Sequence, residues 1–242
     1  MSICSHFLLL VTLGTVVVIR NNGVDGTICC APDQWEGHMY LDYMQIFIDS
    51  NTLYLYFNGS VNVSYDYTNS KAFYTIIGTE ISPLIPKPEP LNKTYIFDYK
   101  KNMQYAIDSD GSCEKSKIDQ NMTRQCVQDS GILKSSGKVG DNITTDTYIL
   151  TLSESFNNVR GTIQRDSCLP IHMVYIVGSD NPDSGSVFTL DVLSTVPGIK
   201  NPAIFTPPSS CKKTTRKRSI SKISQELETV LTEVFHKRML YG

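Results

Sequence analysis

The chain lacks the sequence signatures of the common enzyme classes. It contains no HExxH, GxSxG, GxGxxG or P-loop motif, which mark zinc proteases, serine hydrolases and nucleotide-binding enzymes. Histidine is scarce, and His172 lies in an apolar strand pattern that favours a structural role. The chain is therefore predicted not to be an enzyme. A secreted hydrolase that uses His38 or His172 is the least favoured alternative.

Charge of one sign is also missing. The chain has 22 Lys and Arg against 24 Asp and Glu, so its electrostatic field gives no reason to expect a nucleic-acid partner. CxxC pairs and Cys/His clusters, which structural zinc sites use, do not occur either. These absences argue against nucleic-acid binding and against a zinc-stabilised fold.

Long hydrophobic runs are limited to one short block near the start. Residues 7–19 form 13 uncharged residues, whereas a membrane-spanning helix needs roughly 20. A short apolar block in this position is typical of a signal peptide. We assign residues 1–26 to a signal peptide and expect a soluble, secreted remainder without a transmembrane segment. The alternatives are a buried strand or helix, or an uncleaved anchor.

The number of cysteines predicts disulfide bonds. Seven cysteines occur, and loss of the signal peptide would remove Cys4 and leave six. An even set in a secreted chain predicts three disulfides, but spacing alone does not select the pairing. Cys29 and Cys30 are neighbours, and neighbours in a strand point to opposite faces, so each should reach a different partner.

Glycosylation signals agree with a secretory route. Five N-x-S/T sequons follow the apolar block, and none has proline in its middle position. The two on one short segment, at positions 58 and 62, need not both carry sugar. The predicted acceptor residues are Asn58, Asn62, Asn92, Asn121 and Asn142.

Alternation of apolar and polar residues predicts a mostly β protein. Turn clusters separate the candidate strands, a pattern typical of an antiparallel sandwich or barrel. The proline-rich stretches 82–90 and 196–208 are predicted as stiff extended loops, and 128–146 as a surface loop. Residues 100–102 are predicted as a hairpin turn. The predicted strands are 39–49, 53–57, 61–67, 73–77, 94–99, 103–107, 147–152, 159–164, 172–177 and 186–193.

The C-terminal segment 212–242 differs in character from the rest of the chain. Residues 212–218 (KKTTRKR) are basic, and apolar residues then recur at helical spacing, which predicts an amphipathic helix within 219–242. The helix could pack on its own sheet or mediate dimerisation. The basic run is a solvated linker, a dibasic processing site after Arg218, or a patch for anionic lipid or glycan.

Four strings resemble the ependymin-related family. They are CCAPDQWEG (29–37), YAIDSDGSC (105–113), RDSCLPI (165–171) and GIKNPAIFTPPSSC (198–211), and they occur in order along the chain. The resemblance implies one domain, residues 27–211, built from two curved antiparallel sheets that form a half-barrel like that of bacterial lipoprotein carriers. It also implies a secreted or lysosomal glycoprotein, linked to calcium and matrix, that tends to form homodimers.

The same resemblance implies specific roles for some residues. Cys30 should pair with Cys168 and Cys113 with Cys211, leaving Cys29 with Cys126 unless one of these links two chains. An apolar pocket for lipids or other hydrophobic small molecules is expected. Its predicted lining is Val63, Tyr65, Tyr67, Tyr95, Phe97 and Tyr99; the alternative is that these side chains simply fill a sandwich core.

A calcium site is the least specific of these expectations. Asp108 and Asp110 faintly match a calcium loop but lack its distal Glu, so a hairpin turn is the simpler interpretation. Two functions therefore compete. One is a non-enzymatic carrier of hydrophobic ligands, and the other is a calcium-dependent extracellular matrix or cell-adhesion glycoprotein.

Overall fold

Strands make up nearly all the regular structure in the computed structural model, which describes residues 27–47, 53–82, 87–119, 121–151, 158–178 and 184–212. The predicted signal peptide, and the predicted helix within 219–242, lie outside these described residues. No helix within them is long and apolar enough to cross a membrane. The strands are β1 (Thr27–Cys30), β2 (Gln34–Phe47), β3 (Leu53–Asp66), β4 (Lys71–Ile81), β5 (Glu89–Asp98), β6 (Met103–Asp108), β7 (Cys113–Lys117), β8 (Cys126–Gln128), β9 (Ile132–Val139), β10 (Ile143–Thr151), β11 (Asn158–Gln164), β12 (Pro170–Gly178) and β13 (Ser184–Pro197).

The strands form two antiparallel sheets of very different size. Eleven strands pair in the order β7-β6-β5-β4-β3-β2-β13-β12-β11-β10-β9, and β1 pairs with β8 in a two-stranded sheet. The large sheet ends in different strands, β7 and β9, so among the described strands it is not closed. The expectation of a mostly β fold with two antiparallel sheets is confirmed.

One face of the large sheet, here named the core face, carries the hydrophobic core. Alternate residues of β2 to β5 and of β10 to β13 point to this face, and most of them are buried, as period-two geometry predicts. The opposite face, the outer face, is mostly polar and half-exposed. The largest fully buried side chains all belong to the core face: Trp35, Tyr43, Tyr74, Tyr175, Phe57, Phe97, Phe188, Met39, Leu41, Ile76 and Ile163.

The segment predicted as two strands, 53–57 and 61–67, is a single strand. Asn58-Gly59-Ser60 resembles a turn signal, but Gly59 continues the ladder and pairs with Leu41 on one side and Gly78 on the other. The ring of Phe57 lies against both glycines, so that a β-carbon on either would meet it. Glycine is used here for close approach of a ring to the backbone rather than for a turn.

The prediction of a surface loop at 128–146 is wrong. Residues 132–139 form the edge strand β9, and β10 already begins at Ile143. All eight residues of β9 are exposed, so neither face shows the apolar alternation by which a strand is recognised. Lys134 and Lys138 lie on this edge, as is usual for an edge that must not pair with another chain.

The proline-rich segment after β13 covers part of the outer face. The prediction of an extended loop is only partly right, because β13 continues to Pro197 and residues Pro202–Phe205 form a 3-10 helix. Phe205 is buried, and Cys211 packs with Ile96 and Tyr105 in a second small cluster. The other proline-rich stretch, 82–90, is described only in part, and β5 starts within it at Glu89.

Two of the predicted disulfides have exchanged partners. Cys30 lies directly opposite Cys126 in the β1–β8 pair and bonds to it, not to Cys168. Cys29 points to the other side of β1 and bonds to Cys168, with Cα atoms 6.1 Å apart. Cys113–Cys211 is the pair implied by the resemblance. With this pairing, neither Cys29 nor Cys126 is left to link two chains.

Replacing Gly78 by alanine should strongly destabilise the sheet. The new β-carbon would lie 2.5 Å from the Phe57 ring and closer still to the carbonyl oxygen of Asn58, so backbone must move. We expect a loss of about 2–3 kcal/mol in the free energy of unfolding, measured by urea denaturation. Gly137→Ala on β9 is the matched control, since its β-carbon would meet nothing closer than 3.8 Å. Equal losses for both variants would contradict this account of the Gly59–Gly78 pair.

The exchanged pairing can be read from a single variant. In Cys126→Ser the thiol set free should be that of Cys30, because Cys30 faces position 126 across the ladder. Alkylation of the unreduced protein, followed by fragmentation of the peptide that contains both neighbours, assigns the label to one of them. A label on Cys29 would instead support the Cys29–Cys126 pairing that the resemblance implies.

Candidate ligand-binding face

Aromatic side chains concentrate on the core face of β3, β4 and β5. The ring centroids of Tyr95 and Phe97 are 6.4 Å apart, those of Phe97 and Tyr99 are 6.1 Å apart, and Tyr74 meets Phe97 edge-on at 5.6 Å. Ala72 lies between Tyr65 and Phe97 in register, so the aromatic rings border a small residue. The result is a continuous aromatic surface across three strands.

The structure brings together the residues predicted to line a pocket. All belong to one hydrophobic cluster: Val63, Tyr65, Tyr95, Phe97 and Tyr99 are buried, and Tyr67 is partly buried against them. Their burial is compatible with a packed core and with a closed binding site. Their role in holding a ligand stays a prediction.

One end of this aromatic surface is covered by the loop 121–126, here named the covering loop. The indole N–H of Trp35 donates a 2.8 Å hydrogen bond to Oε1 of Gln125, and both groups are buried. The Tyr65 hydroxyl donates to the carbonyl oxygen of Thr123. Arg124 adds a 2.8 Å ion pair with Asp33 at the surface. Together these contacts fix the loop over the core face.

Sequence reasoning missed Trp35 and Gln125. Trp35 is the single tryptophan of the chain and lies inside the CCAPDQWEG string, so a signal was available. A buried indole needs an acceptor for its N–H, but nothing in the sequence identifies a glutamine ninety residues away as that acceptor.

The tyrosines of the core face are held in their neutral form. Burial raises the pKa of Tyr65, Tyr74 and Tyr99 above that of an exposed tyrosine, and nearby tyrosines raise the first two further. Their hydroxyls therefore keep their protons at physiological pH. They offer uncharged hydrogen-bonding groups inside an otherwise apolar surface.

A buried cation lies on the same face. Lys93 is two residues from Tyr95 on β5, is buried, and has its Nζ 3.7 Å from Oδ1 of Asp108 on β6. Because they pair across the ladder, both side chains point to the core face. The face thus combines aromatic rings with the Lys93–Asp108 pair and the buried carboxyl group of Glu80 on β4.

Asp108 and Asp110 build the turn between β6 and β7. Asp108 accepts a hydrogen bond from the Ser112 hydroxyl, and Asp110 accepts one from the Ser112 backbone N–H. Such contacts are ordinary turn chemistry. The described part of the chain contains no group of three or more His, Cys, Asp or Glu that could hold a metal ion. Calcium binding at these residues stays a prediction.

The two histidines of the hydrolase alternative lie on the outer face. Nδ1 of His172 is 2.6 Å from Oδ1 of Asp191, and Nδ1 of His38 is 2.8 Å from Oδ1 of Asn62. Both are cross-strand pairs on neighbouring strands. Neither histidine is placed on the aromatic surface.

The sequons lie away from the aromatic surface. Asn62, Asn92, Asn121 and Asn142 are exposed, and Asn58 is half-buried beside Tyr56. On β3 and β5, Asn58, Asn62 and Asn92 belong to the outer face. Sugars at these positions would leave the core face free, and their attachment stays a prediction.

Comparison with known proteins points to one family. The sequence model of the Ependymin family matches residues 88–211. Ependymin-related protein 1 of Haliotis asinina is 25% identical over 198 residues, which cover 78% of this chain and 92% of that protein.

Solved structures give only weak likenesses. An uncharacterized conserved protein from Thermus thermophilus aligns with 74% of this chain and 90% of its own at 10% identity, with a TM-score of 0.44. MucB in complex with MucA(peri) aligns with 69% and 94% at 7% identity, with a TM-score of 0.09. These scores are too low to support an argument about the fold.

Replacing Gln125 by leucine should loosen the covering loop. The change leaves the buried Trp35 N–H without its acceptor, at a cost of about 1–3 kcal/mol in the free energy of unfolding. Urea denaturation followed by the fluorescence of Trp35, the single tryptophan, measures it. Gln128→Leu, at a half-buried position of β8, is the control. A Gln125 variant as stable as the control would show that the bond contributes little.

Proposed function

This chain belongs to the ependymin family, and on that premise we propose that it binds hydrophobic ligands, lipids foremost, against the core face of its large sheet. Membership in the family indicates an extracellular glycoprotein rather than an enzyme. Ligand binding goes beyond that membership and is argued from the core face itself. Homodimerisation, matrix binding and lysosomal delivery stay predictions of the resemblance.

One observation carries the proposal: the apolar core face is wide, and few described elements outside the large sheet are available to cover it. Core residues extend across the large sheet from Phe97 on β5 to Leu150 on β10. Among the described residues, the elements outside this sheet are β1, β8, short 3-10 helices and loops. Apolar faces of this extent are rarely left to water. The two halves of the sheet must therefore curve toward each other, which supports a half-barrel.

Small residues on the core face favour such curvature. Gly37, Gly59, Ala72, Gly78 and Ala106 all lie on it, between large aromatic side chains. Glycine in strands is typical of tight bends and of close approach between backbones. A curved sheet with alternating large and small residues on its inner face is suited to hold an elongated apolar guest.

The chemistry of the face fits an amphiphile better than a plain hydrocarbon. Ligand sites are mostly apolar and aromatic, with a few polar groups that orient the ligand. Here the aromatic rings would contact an acyl chain, and the neutral tyrosine hydroxyls and Lys93 would contact a polar head group. Of the three disulfides that stabilise the frame, Cys29–Cys168 packs within the core cluster and Cys113–Cys211 lies on the outer side.

Fatty acids brominated on the acyl chain provide a direct test. Bromine quenches an indole on contact, and Trp35 is the single tryptophan and lies on the core face. Saturable quenching is expected with the brominated acid and no quenching with its unbrominated parent. Organic extracts of the purified protein should contain lipid by mass spectrometry.

A matched pair of variants separates the two faces. Ala106→Phe fills space beside the aromatic surface and should weaken binding about tenfold, because one added ring displaces part of an acyl chain. Ile77→Phe, on the outer face of β4, should bind like the unaltered protein. If brominated acids do not quench Trp35 and extracts hold no lipid, the proposal is wrong.

A further inference from the structure

Two exposed apolar side chains flank the middle of β3 on the outer face. Tyr40 on β2 and Ile77 on β4 are both direct cross-strand neighbours of Ser60 on β3. They are 37% and 47% exposed, and Ser60 between them is small and half-buried. These three residues are here named the outer patch. Single exposed apolar residues are ordinary, but neighbouring ones favour a cover in the working protein.

Two exposed sequon residues border the outer patch. Asn62 follows Ser60 on the same face of β3, and its register makes it the diagonal neighbour of both Tyr40 and Ile77. Asn92 on β5 is the direct cross-strand neighbour of Ile77. The β-carbons of direct neighbours are about 5 Å apart, and diagonal neighbours are about 7–8 Å apart. A sugar on either asparagine therefore begins beside an exposed apolar side chain.

The side chain of Asn62 is held in an orientation that is compatible with attachment. The Nδ1–H of His38, its direct cross-strand neighbour, donates a 2.8 Å hydrogen bond to Oδ1 of Asn62. The bond uses the amide oxygen and not Nδ2, which is the atom that carries an N-linked sugar. Because the asparagine is already held, packing of an attached sugar on the sheet costs less conformational entropy.

The third sequon of this face is less suited to the same role. Asn58 is only half-exposed, and its direct cross-strand neighbour Asp42 accepts a 2.8 Å hydrogen bond from the hydroxyl of Tyr56 beside it. The surroundings of Asn58 are thus polar and already paired. Asn62 and Asn92 are the two sequon residues that combine exposure with an apolar neighbour.

The chemistry of the first sugar matches the outer patch. One face of a pyranose ring presents C–H groups, whereas the hydroxyls project from its rim. The C–H groups can stack on the electron-rich face of a tyrosine ring, and the dispersion gain grows with the number of atoms in contact. The hydroxyls stay in water. An uncharged sugar is also compatible with Asp191, the direct neighbour of Tyr40 on β13.

We propose that N-linked sugars at Asn62 and Asn92 pack on the outer patch, with the first sugar at Asn62 stacked on the ring of Tyr40 and that at Asn92 covering Ile77. Sugars that flank the patch on two sides also obstruct the approach of another protein. The occupant of this part of the outer face is therefore the chain's own sugar. The inference does not depend on the proposed ligand function, because the ligand is placed on the opposite face of the sheet.

Double-mutant cycles on the full chain, secreted by mammalian cells, test the packing. Asn62→Gln and Tyr40→Ser are made singly and together, and urea denaturation followed by Trp35 fluorescence gives the unfolding equilibrium constant of each protein. Tyr40→Ser should raise this constant about fivefold more when Asn62 is present than in Asn62→Gln, because only an attached sugar provides the contact that the ring loses. A second cycle, Asn92→Gln with Ile77→Ser, tests the other sugar in the same way.

Three controls locate the effect. Ser64→Ala abolishes the sequon but keeps Asn62, and it should remove the coupling to Tyr40→Ser as Asn62→Gln does. Asn142→Gln, between β9 and β10 and four strands from β2, should show no coupling to Tyr40→Ser. Trimming with endoglycosidase H to a single N-acetylglucosamine should leave the coupling unchanged, since the first sugar makes the contact.

Four results would overturn the proposal. Glycopeptide mass spectrometry that finds Asn62 and Asn92 without sugar removes the occupant. Additive effects in both cycles mean that the sugars project into solvent. Coupling that persists in Ser64→Ala assigns it to a contact within the protein. A dimer by light scattering that becomes a monomer in Tyr40→Ser makes a second copy the occupant. Occupied sites whose coupling survives trimming and is lost in Ser64→Ala support the proposal.

Discussion

The burial of one face of an eleven-stranded sheet is the constraint on which the rest of this structure depends. Among the described residues, few elements other than β1, β8 and the covering loop lie outside this wide sheet, which is why we propose that its own halves supply the remaining cover. The glycines and alanines of the core face, the deep aromatic packing and the loop fixed by Trp35 all serve that arrangement. In the curved arrangement that we propose, the largest apolar surface would lie on the inside of the curve, where either a guest molecule or a packed core could fill it.

Much of this fold could be predicted from the alternation of apolar and polar residues alone. Strands buried on one face, such as β2, β4 and β12, show the period of two clearly and were predicted, although β2 begins five residues earlier and β4 ends four residues later than predicted. The hairpin turn at 100–102 is also confirmed, where Asn102 adopts a left-handed conformation with φ 51°. The failures have a common physical cause. β7, β8 and β9 are short or exposed on both faces, and Gly59 imitates a turn while it continues a strand.

The candidate site was predictable in its residue types but not in its contacts. The aromatic residues of β3 and β5 were found because they alternate, and they do share one face. The bond from Trp35 to Gln125 depends on a loop position that no local pattern encodes. The disulfides show the same limit: neighbouring cysteines must point apart, but which of them faces Cys126 depends on the register of β1 with β8. Register is a property of the sheet and not of either strand alone.

The place of β2 in the sheet has a consequence for how the protein is made. β2 is near the start of the chain, yet its second neighbour is β13, which is synthesised some 150 residues later. Strands β2 to β7 can assemble as a meander during synthesis, but β2 then presents a long unpaired edge until β13 is made. Cys29 and Cys30 likewise stay unpaired until their partners, Cys168 and Cys126, have been synthesised. The nascent chain is thus most vulnerable to mispairing at the centre of its finished sheet.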